Sequence, residues 1–278
     1  MSLFYRWTVD PHIEDRITMI QIAVEAALEA GKFLKENVGN IKSIERKIGQ
    51  ETNLVTEIDK QSEAMIIRKI FEYFPSHAIL GEEGGSSVQQ SDYRWIIDPL
   101  DGTTNFTHGL PLFSVTIGIE HQGEMIAGVV YDPNAEELFT AEKGKGAFLN
   151  GKKISVSSTD TLINSLVVTG FPYNVKENPD NVIQHFINFL PVTQGVRRLG
   201  SAAIDLAYVA CGRFDGYWEV FLNPWDKAAG VLIVQEAGGM VTNFYNEKNN
   251  TVFNPNTIAT NGRIHQQMLD IIYKTLRP

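Results

Sequence analysis

Apolar residues recur at helical spacing near the start of the chain. Ile13, Ile17, Ile20, Val24, Ala27, Leu28, Phe33 and Leu34 predict one long helix over 11–38. Asp10 is placed to cap it, and Pro11 suits its first turn. Ile58, Met65, Ile66, Ile70 and Phe74 keep the same period and predict a second helix from Thr56 to the residue before Pro75. The middle of the chain changes rhythm. Short apolar runs between Gly, Asn and Asp turns predict strands over 93–98, 112–120, 124–131, 137–142 and 147–154, with Gln122-Gly123 and Asn150-Gly151 as hairpin signals. Strands over 165–169 and 214–220 follow, with helices over 180–190, 202–211 and 225–237. Gly212 closes the second of these helices, and Gly238-Gly239 closes the third. Helices and strands mix without a regular β-α-β rhythm, which favours a layered α+β fold over a doubly wound sheet.

Composition narrows the function. The chain has 278 residues and a net charge of −9, so no excess of cations exists to neutralise a nucleic-acid backbone. Independent nucleic-acid binding is therefore not expected. With 43% hydrophobic and 21% charged residues, the chain reads as globular rather than disordered. We read 1–278 as a single unit, with sub-regions 10–155 and 156–278. Cys211 is the single cysteine, which excludes an internal disulfide and a cysteine-based zinc site. Residues 1–10 carry no apolar leader core, and no apolar run approaches the roughly 20 residues of a membrane span. A cytoplasmic protein is the simplest expectation.

Several familiar motifs fail. Gly146-Ala-Phe-Leu-Asn-Gly151-Lys152 matches most of a P-loop, but Lys153 stands where Ser or Thr is needed for magnesium, and the embedded Asn-Gly reads as a hairpin. The six histidines do not cluster at ligand spacing, and His108 reads as a surface or pocket-wall residue.

The informative stretch is Trp95-Ile-Ile-Asp98-Pro99-Leu100-Asp101-Gly102-Thr103-Thr104-Asn105. An apolar strand runs into two carboxylates three residues apart. If the chain bends there, both acids and the Leu100 carbonyl can face one point, a hard oxygen set suited to Mg²⁺. The amides from Gly102 onward can open a short helix and hold an anion. Asp98 and Asp101 also fit ordinary turn and cap roles. Glu82 follows an apolar Ala78-Ile79-Leu80, and Asp226 opens an apolar helix after Pro224-Trp225. Glu82 can equally be a solvated loop acid, and Asp226 a partner for a helix N-terminus. Thr56-Glu-Ile-Asp59 fits an acidic capping box as well as a catalytic acid.

Together these segments resemble the inositol monophosphatase family of Mg²⁺-dependent, lithium-sensitive phosphatases. The resemblance rests on Leu80-Gly-Glu-Glu-Gly84, on 95–106 and on 225–239, with weaker matches at 54–59 and 200–203, and spans nearly the whole chain. It implies an αβαβα layered sandwich, shared with fructose-1,6-bisphosphatase, and a homodimer. It also implies two or three Mg²⁺ ions on Glu82, Asp98, Asp101, Asp226 and the Leu100 carbonyl, with Glu82 serving catalysis too. Asp59 and Thr103 would activate the attacking water. Gly102, Thr103 and Thr104 would hold the phosphate, Gly200, Ser201 and Ala202 would floor the pocket, and Glu219 would accept hydrogen bonds from a substrate hydroxyl. Lys47 falls near a family lysine, with a spacing to Asp59 one residue longer than expected.

Four acids in one pocket repel one another by about 4 kcal/mol per pair at ~4 Å and an effective dielectric of ~20, which bound Mg²⁺ would reverse. The expected activity is hydrolysis of inositol monophosphate, or a similar polyol or sugar phosphate, by direct attack of a metal-activated water. Gly170-Phe-Pro-Tyr173 and Thr104-Asn-Phe106 resemble the bacterial branch. Fructose-1,6-bisphosphatase, NADP(H) phosphatase and, less so, histidinol-phosphatase activities share that metal core. A different class of role is partner binding in transcription or RNA processing through a face near Arg197-Arg198.

Overall fold

The computed structural model describes residues 18–39, 44–46, 54–86 and 90–276. The strands are β1 (Ile44–Arg46), β2 (Leu54–Thr56), β3 (Ala78–Gly81), β4 (Gly85–Ser86), β5 (Tyr93–Asp101), β6 (Ser114–His121), β7 (Glu124–Asp132), β8 (Glu137–Glu142), β9 (Gly146–Leu149), β10 (Lys152–Lys153), β11 (Leu166–Thr169), β12 (Gly195–Arg197), β13 (Gly216–Glu219), β14 (Met240–Thr242) and β15 (Thr257–Thr260). The α-helices are α1 (Met19–Asn37), α2 (Glu57–Tyr73), α3 (Thr103–Thr107), α4 (Val182–Phe189), α5 (Ala202–Ala210), α6 (Pro224–Glu236) and α7 (His265–Leu276).

Alternation along the strands builds the layers. Trp95 and Ile97 of β5 face Ile22, Ala26 and Leu34 of α1 and Ile66 and Ile70 of α2. Ile96, between them, faces the opposite side, where it joins Leu206 of α5 and Leu232 of α6. The second sheet repeats the logic. Val168, Tyr217 and Ala259 face α5 and α6, while Val167, Trp218 and Ile258 face Phe189 of α4 and Met268 and Ile272 of α7. The order is therefore helix pair, eight-stranded sheet, helix pair, five-stranded sheet, helix pair. This is the αβαβα sandwich the sequence led us to expect. Close approach of α6 to the large sheet depends on Gly128, where a Cβ would lie 2.9 Å from the Ala229 carbonyl.

Some boundaries differ from the sequence reading. Among the described residues the first helix spans Met19–Asn37, with Thr18 and Gln21 in a reciprocal capping box at its start; the 11–17 part of the predicted helix lies outside the described residues. Asp10 and Pro11 lie outside the described residues. The predicted 147–154 strand is the hairpin β9–β10, with Asn150 and Gly151 at positive φ (48° and 74°). That hairpin disposes of the P-loop reading. The helix predicted over 202–211 ends at Ala210, with Cys211 as its C-cap and Gly212 at φ 75°. The helix predicted over 180–190 starts at Val182, because Asp180 and Asn181 adopt left-handed conformations. The sequence reading does not include the short strands β1, β2, β3, β4, β12, β14 and β15 or the helix α7.

Candidate active site

The site sits where β5 ends. Asp98 and Asp101 are an odd number of residues apart, so in a regular strand they would point to opposite faces. Here Asp98 pairs with Thr116 and Asp101 with Ser114, so three steps on β5 oppose two on β6. One extra residue makes a bulge at Pro99-Leu100, and it brings both carboxylates to one side. The Leu100 amide donates to Asp98 Oδ1 at 3.0 Å, and Ser62 of α2 donates to the Pro99 carbonyl at 3.0 Å. Gly102 follows at φ 99°, where a Cβ would lie 3.0 Å from the Leu112 carbonyl. It opens α3, whose N-terminus has no side-chain cap.

The N-termini of four helices supply or hold the functional groups. Asp59 sits in the first turn of α2, and its Oδ2 accepts from the Thr56 amide (2.8 Å) and hydroxyl (2.5 Å). Thr103, the first residue of α3, donates its hydroxyl to Asp59 Oδ1 at 3.0 Å and lies 3.2 Å from the Leu100 carbonyl. Asp101 meets the start of α5, where Ser201 Oγ donates to Oδ2 at 2.5 Å and the Ala203 amide at 2.8 Å. Asp226 lies in the first turn of α6 and accepts from the Asn223 amide at 2.7 Å. The positive end of each helix favours a carboxylate in that place. Asp59 and Asp226 thus cap helices and also face or support the pocket; the two readings are compatible.

Glu82, Asp98, Leu100, Asp101, Gly102, Thr103, Thr104, Gly200, Ser201, Ala202, Glu219 and Asp226 all line one pocket of about 550 Å³. Asp59 lies behind Thr103, buried and outside the lining. Burial raises the carboxyl pKa of Asp98 well above its usual range, and the charges of Glu82, Asp101 and Asp226 raise it further. Asp226 is raised for the same reasons: burial first, then Glu82 and Asp101. Burial also raises Asp101, opposed by its bonds to Ser201, Ala203 and Ala202. Among the described residues no three of these side chains converge as a ready-made ligand cage. The donors nevertheless fit a hard divalent cation in kind, and their mutual repulsion is what such a cation relieves.

Glu219 is buried among the residues of β13. Burial pushes its carboxyl up to about 7, while the Tyr217 hydroxyl (2.7 Å) and the Arg198 charge oppose the rise. Arg198 lines the pocket and is exposed, as is Arg197, so the face the sequence suggested near this pair adjoins the site. Asp205 is a further pocket acid that sequence reasoning missed. It is buried, and its Oδ1 has no hydrogen-bond partner among the described residues. Glu63 was missed too. From α2 it accepts the Glu83 amide at 3.0 Å and so braces the Glu82 loop. Asn105 binds the Leu112 and Leu199 carbonyls at 2.7 and 2.8 Å, tying α3 to the approach to α5. No signal in a single sequence separates these residues from ordinary surface or core polar groups.

Other expectations settle simply. Lys47 lies outside the described residues. His108 is exposed at the end of α3 and does not line the pocket. Cys211 is half-buried, burial raises its thiol pKa, and it is no activated nucleophile.

An acid-lined pocket beside an uncapped helix start can hold a cation and an anion together. The chain belongs to the inositol monophosphatase family, whose model matches residues 15–277. It is 47% identical over 262 residues to the inositol-1-monophosphatase of Synechocystis, covering 94% of this chain and 91% of that protein. It is 45% identical over 231 residues to the Nus factor SuhB of Pseudomonas aeruginosa, covering 81% and 85%. The crystal structure of the extragenic suppressor protein suhB from Bartonella henselae superposes with a TM-score of 0.86 at 39% identity, covering 92% of this chain and 98% of that one. No described helix is long and apolar enough to cross a membrane.

Proposed function

We propose that the chain is a cytoplasmic Mg²⁺-dependent phosphomonoesterase that hydrolyses inositol monophosphate or a similar polyol phosphate. The observation that carries this reading is one pocket holding Glu82, Asp98, Asp101, Asp226 and the Leu100 carbonyl next to the α3 N-terminus. Those five groups would hold two or three Mg²⁺ ions. Bound Mg²⁺ would neutralise the acids, lower the pKa of a nucleophilic water and stabilise the departing alkoxide.

The chain's own residues do the rest. The amides of Gly102 and Thr103 hold the phosphate, with Thr104 beside them. Thr103 Oγ1 accepts the proton of the attacking water while donating its own to Asp59 Oδ1, the bond already in place at 3.0 Å. Water attacks phosphorus in line, the new P–O bond forms and the ester P–O bond breaks. Ser201 and the amides of Ala202 and Ala203 hold Asp101 in place, so this part of the pocket floor supports an acid as well as lining the site. Glu219 accepts a hydrogen bond from a hydroxyl of the substrate. The assembly we assign is a homodimer, supported by the exposed apolar stripe of Ile183 and Ile187 on α4 and Leu190 at its C-cap.

The test is phosphate release from inositol 1-phosphate, fructose 1,6-bisphosphate, NADP⁺ and histidinol phosphate, with Mg²⁺ or EDTA. A Mg²⁺-dependent preference for inositol 1-phosphate is expected. Turnover that proceeds unchanged in EDTA overturns the mechanism.

Glu219 gives a pH prediction. Its carboxyl lies at about 7 in the fold against an ordinary 4.5, so the native state binds this proton more tightly than the unfolded chain. Its contribution to stability is full below about 4.5 and is lost as pH rises through about 7. As a hydrogen-bond acceptor it works ionised. The acid limb of kcat/KM should therefore show an apparent pKa near 7, and Glu219→Gln should remove that limb. A limb unchanged in the variant would assign the titration to another group.

A further inference from the structure

Nine non-glycine residues among those described have positive φ, and eight are Asn, Asp, Gln or Glu. The ninth is Phe221, at φ 61°. For a bulky aromatic this conformation is a genuine outlier, held only where the surroundings impose it. They do so on both sides. Glu219 is paired with Thr257 in the β13–β15 ladder, and Val220 is buried. On the other side, the Leu222 amide donates to the Pro255 carbonyl at 2.9 Å. The trapped backbone puts the Phe221 ring at the mouth of the pocket, which it lines while remaining 50% exposed. Tyr173, 47% exposed, and Phe171 line the same pocket, and Phe171 is anchored against Phe186 of α4 with ring centroids 5.5 Å apart. The pocket therefore has a buried acidic floor and an exposed aromatic rim.

We infer that Phe221 is a specificity-determining residue: its ring rests on the alcohol part of a bound phosphate monoester and favours alcohols that present a flat ring, such as an aryl group or a nucleobase, over open-chain polyols. This rests on the phosphatase reading of the same site. The strained backbone is kept because glycine, which adopts this φ freely, has no ring to offer.

The test separates binding from turnover. Phenylphosphonate and methylphosphonate, which cannot be hydrolysed as esters, are titrated calorimetrically in Mg²⁺ against wild type, Phe221→Gly, Phe221→Ala and Phe221→Trp. Wild type should prefer phenylphosphonate. The preference should fall about three- to tenfold in the Gly and Ala variants, the size of one aromatic contact, and persist in the Trp variant. Hydrolysis of phenyl phosphate relative to glycerol 2-phosphate should shift by the same factor. Phe221→Gly should also melt roughly 2–4 °C above Phe221→Ala, because both lose the ring and only glycine relieves the strain. A phenyl preference unchanged by loss of the ring overturns the inference, as does failure of wild type to bind either phosphonate. Retained phenyl preference in wild type with no hydrolysis of either ester would instead remove the phosphatase reading and leave the ring's role standing.

Discussion

Replacing Asp98 with Asn should lower kcat/KM about a thousandfold or more, because an enzyme that relies on bound metal loses several kcal/mol of transition-state stabilisation with a ligand. The substitution isolates charge. Asp98 Oδ1 accepts the Leu100 amide at 3.0 Å, and an Asn oxygen can do the same, so the bulge that shapes the site is kept. In the metal-free protein the sign for stability is reversed. Burial and the neighbouring Glu82, Asp101 and Asp226 raise the Asp98 pKa, so its charge destabilises the fold near neutral pH. Metal-free Asp98→Asn should therefore melt above metal-free wild type, and the rise in Tm that Mg²⁺ gives wild type should shrink or vanish. Calorimetry with and without Mg²⁺ checks both. Wild-type turnover with unchanged Mg²⁺ dependence would remove Asp98 from the metal site. The same variant separates catalysis from the partner-binding role that the sequence also left open. Should it restore a cellular defect caused by deleting the gene, the binding role gains.

The second large effect belongs to Asp59. Its two oxygens have separate duties: Oδ2 takes the Thr56 amide and hydroxyl, and Oδ1 takes the Thr103 hydroxyl. Asp59→Asn can keep one oxygen on the cap, but its NH₂ then faces Thr103 and cannot accept a proton. Thr103 would turn to the Leu100 carbonyl, already 3.2 Å away. Loss of a positioned proton acceptor costs about 10²–10⁴-fold, and it should fall on kcat. Thr56→Ala is the control. It removes the cap at a cost of about 1 kcal/mol and leaves the Thr103–Asp59 bond intact. The expected result is a large kcat loss with little change in Tm for Asp59→Asn, and the reverse for Thr56→Ala. Equal kcat losses in both variants would reduce Asp59 to a helix cap.

Much of this molecule was legible in its residues. The strand run into Asp-Pro-Leu-Asp and the Thr56–Asp59 capping box were visible because they depend on neighbours a few residues apart. Where the reading failed, the deciding contact was distant or very short in sequence. The strand β3 has four residues and pairs in parallel with β5, too little for a pattern to show.

The sequence by itself determined the acids, their order along the chain, the turn residues beside them and the alternation that sorts strand faces into layers. Tertiary structure decided which face each acid meets. Asp98 and Asp101 share a side only because the pairing with β6 slips by one residue. Asp101 finds Ser201 a hundred residues away, and Asp59 finds Thr103 forty-four residues away. Arg198 comes to line the pocket, and Phe221 is locked in a conformation that its own residue type disfavours. Side-chain chemistry and local periodicity are properties of adjacent residues. Register, convergence and strain are set by the whole packed chain, because each is a compromise between segments that the sequence keeps far apart.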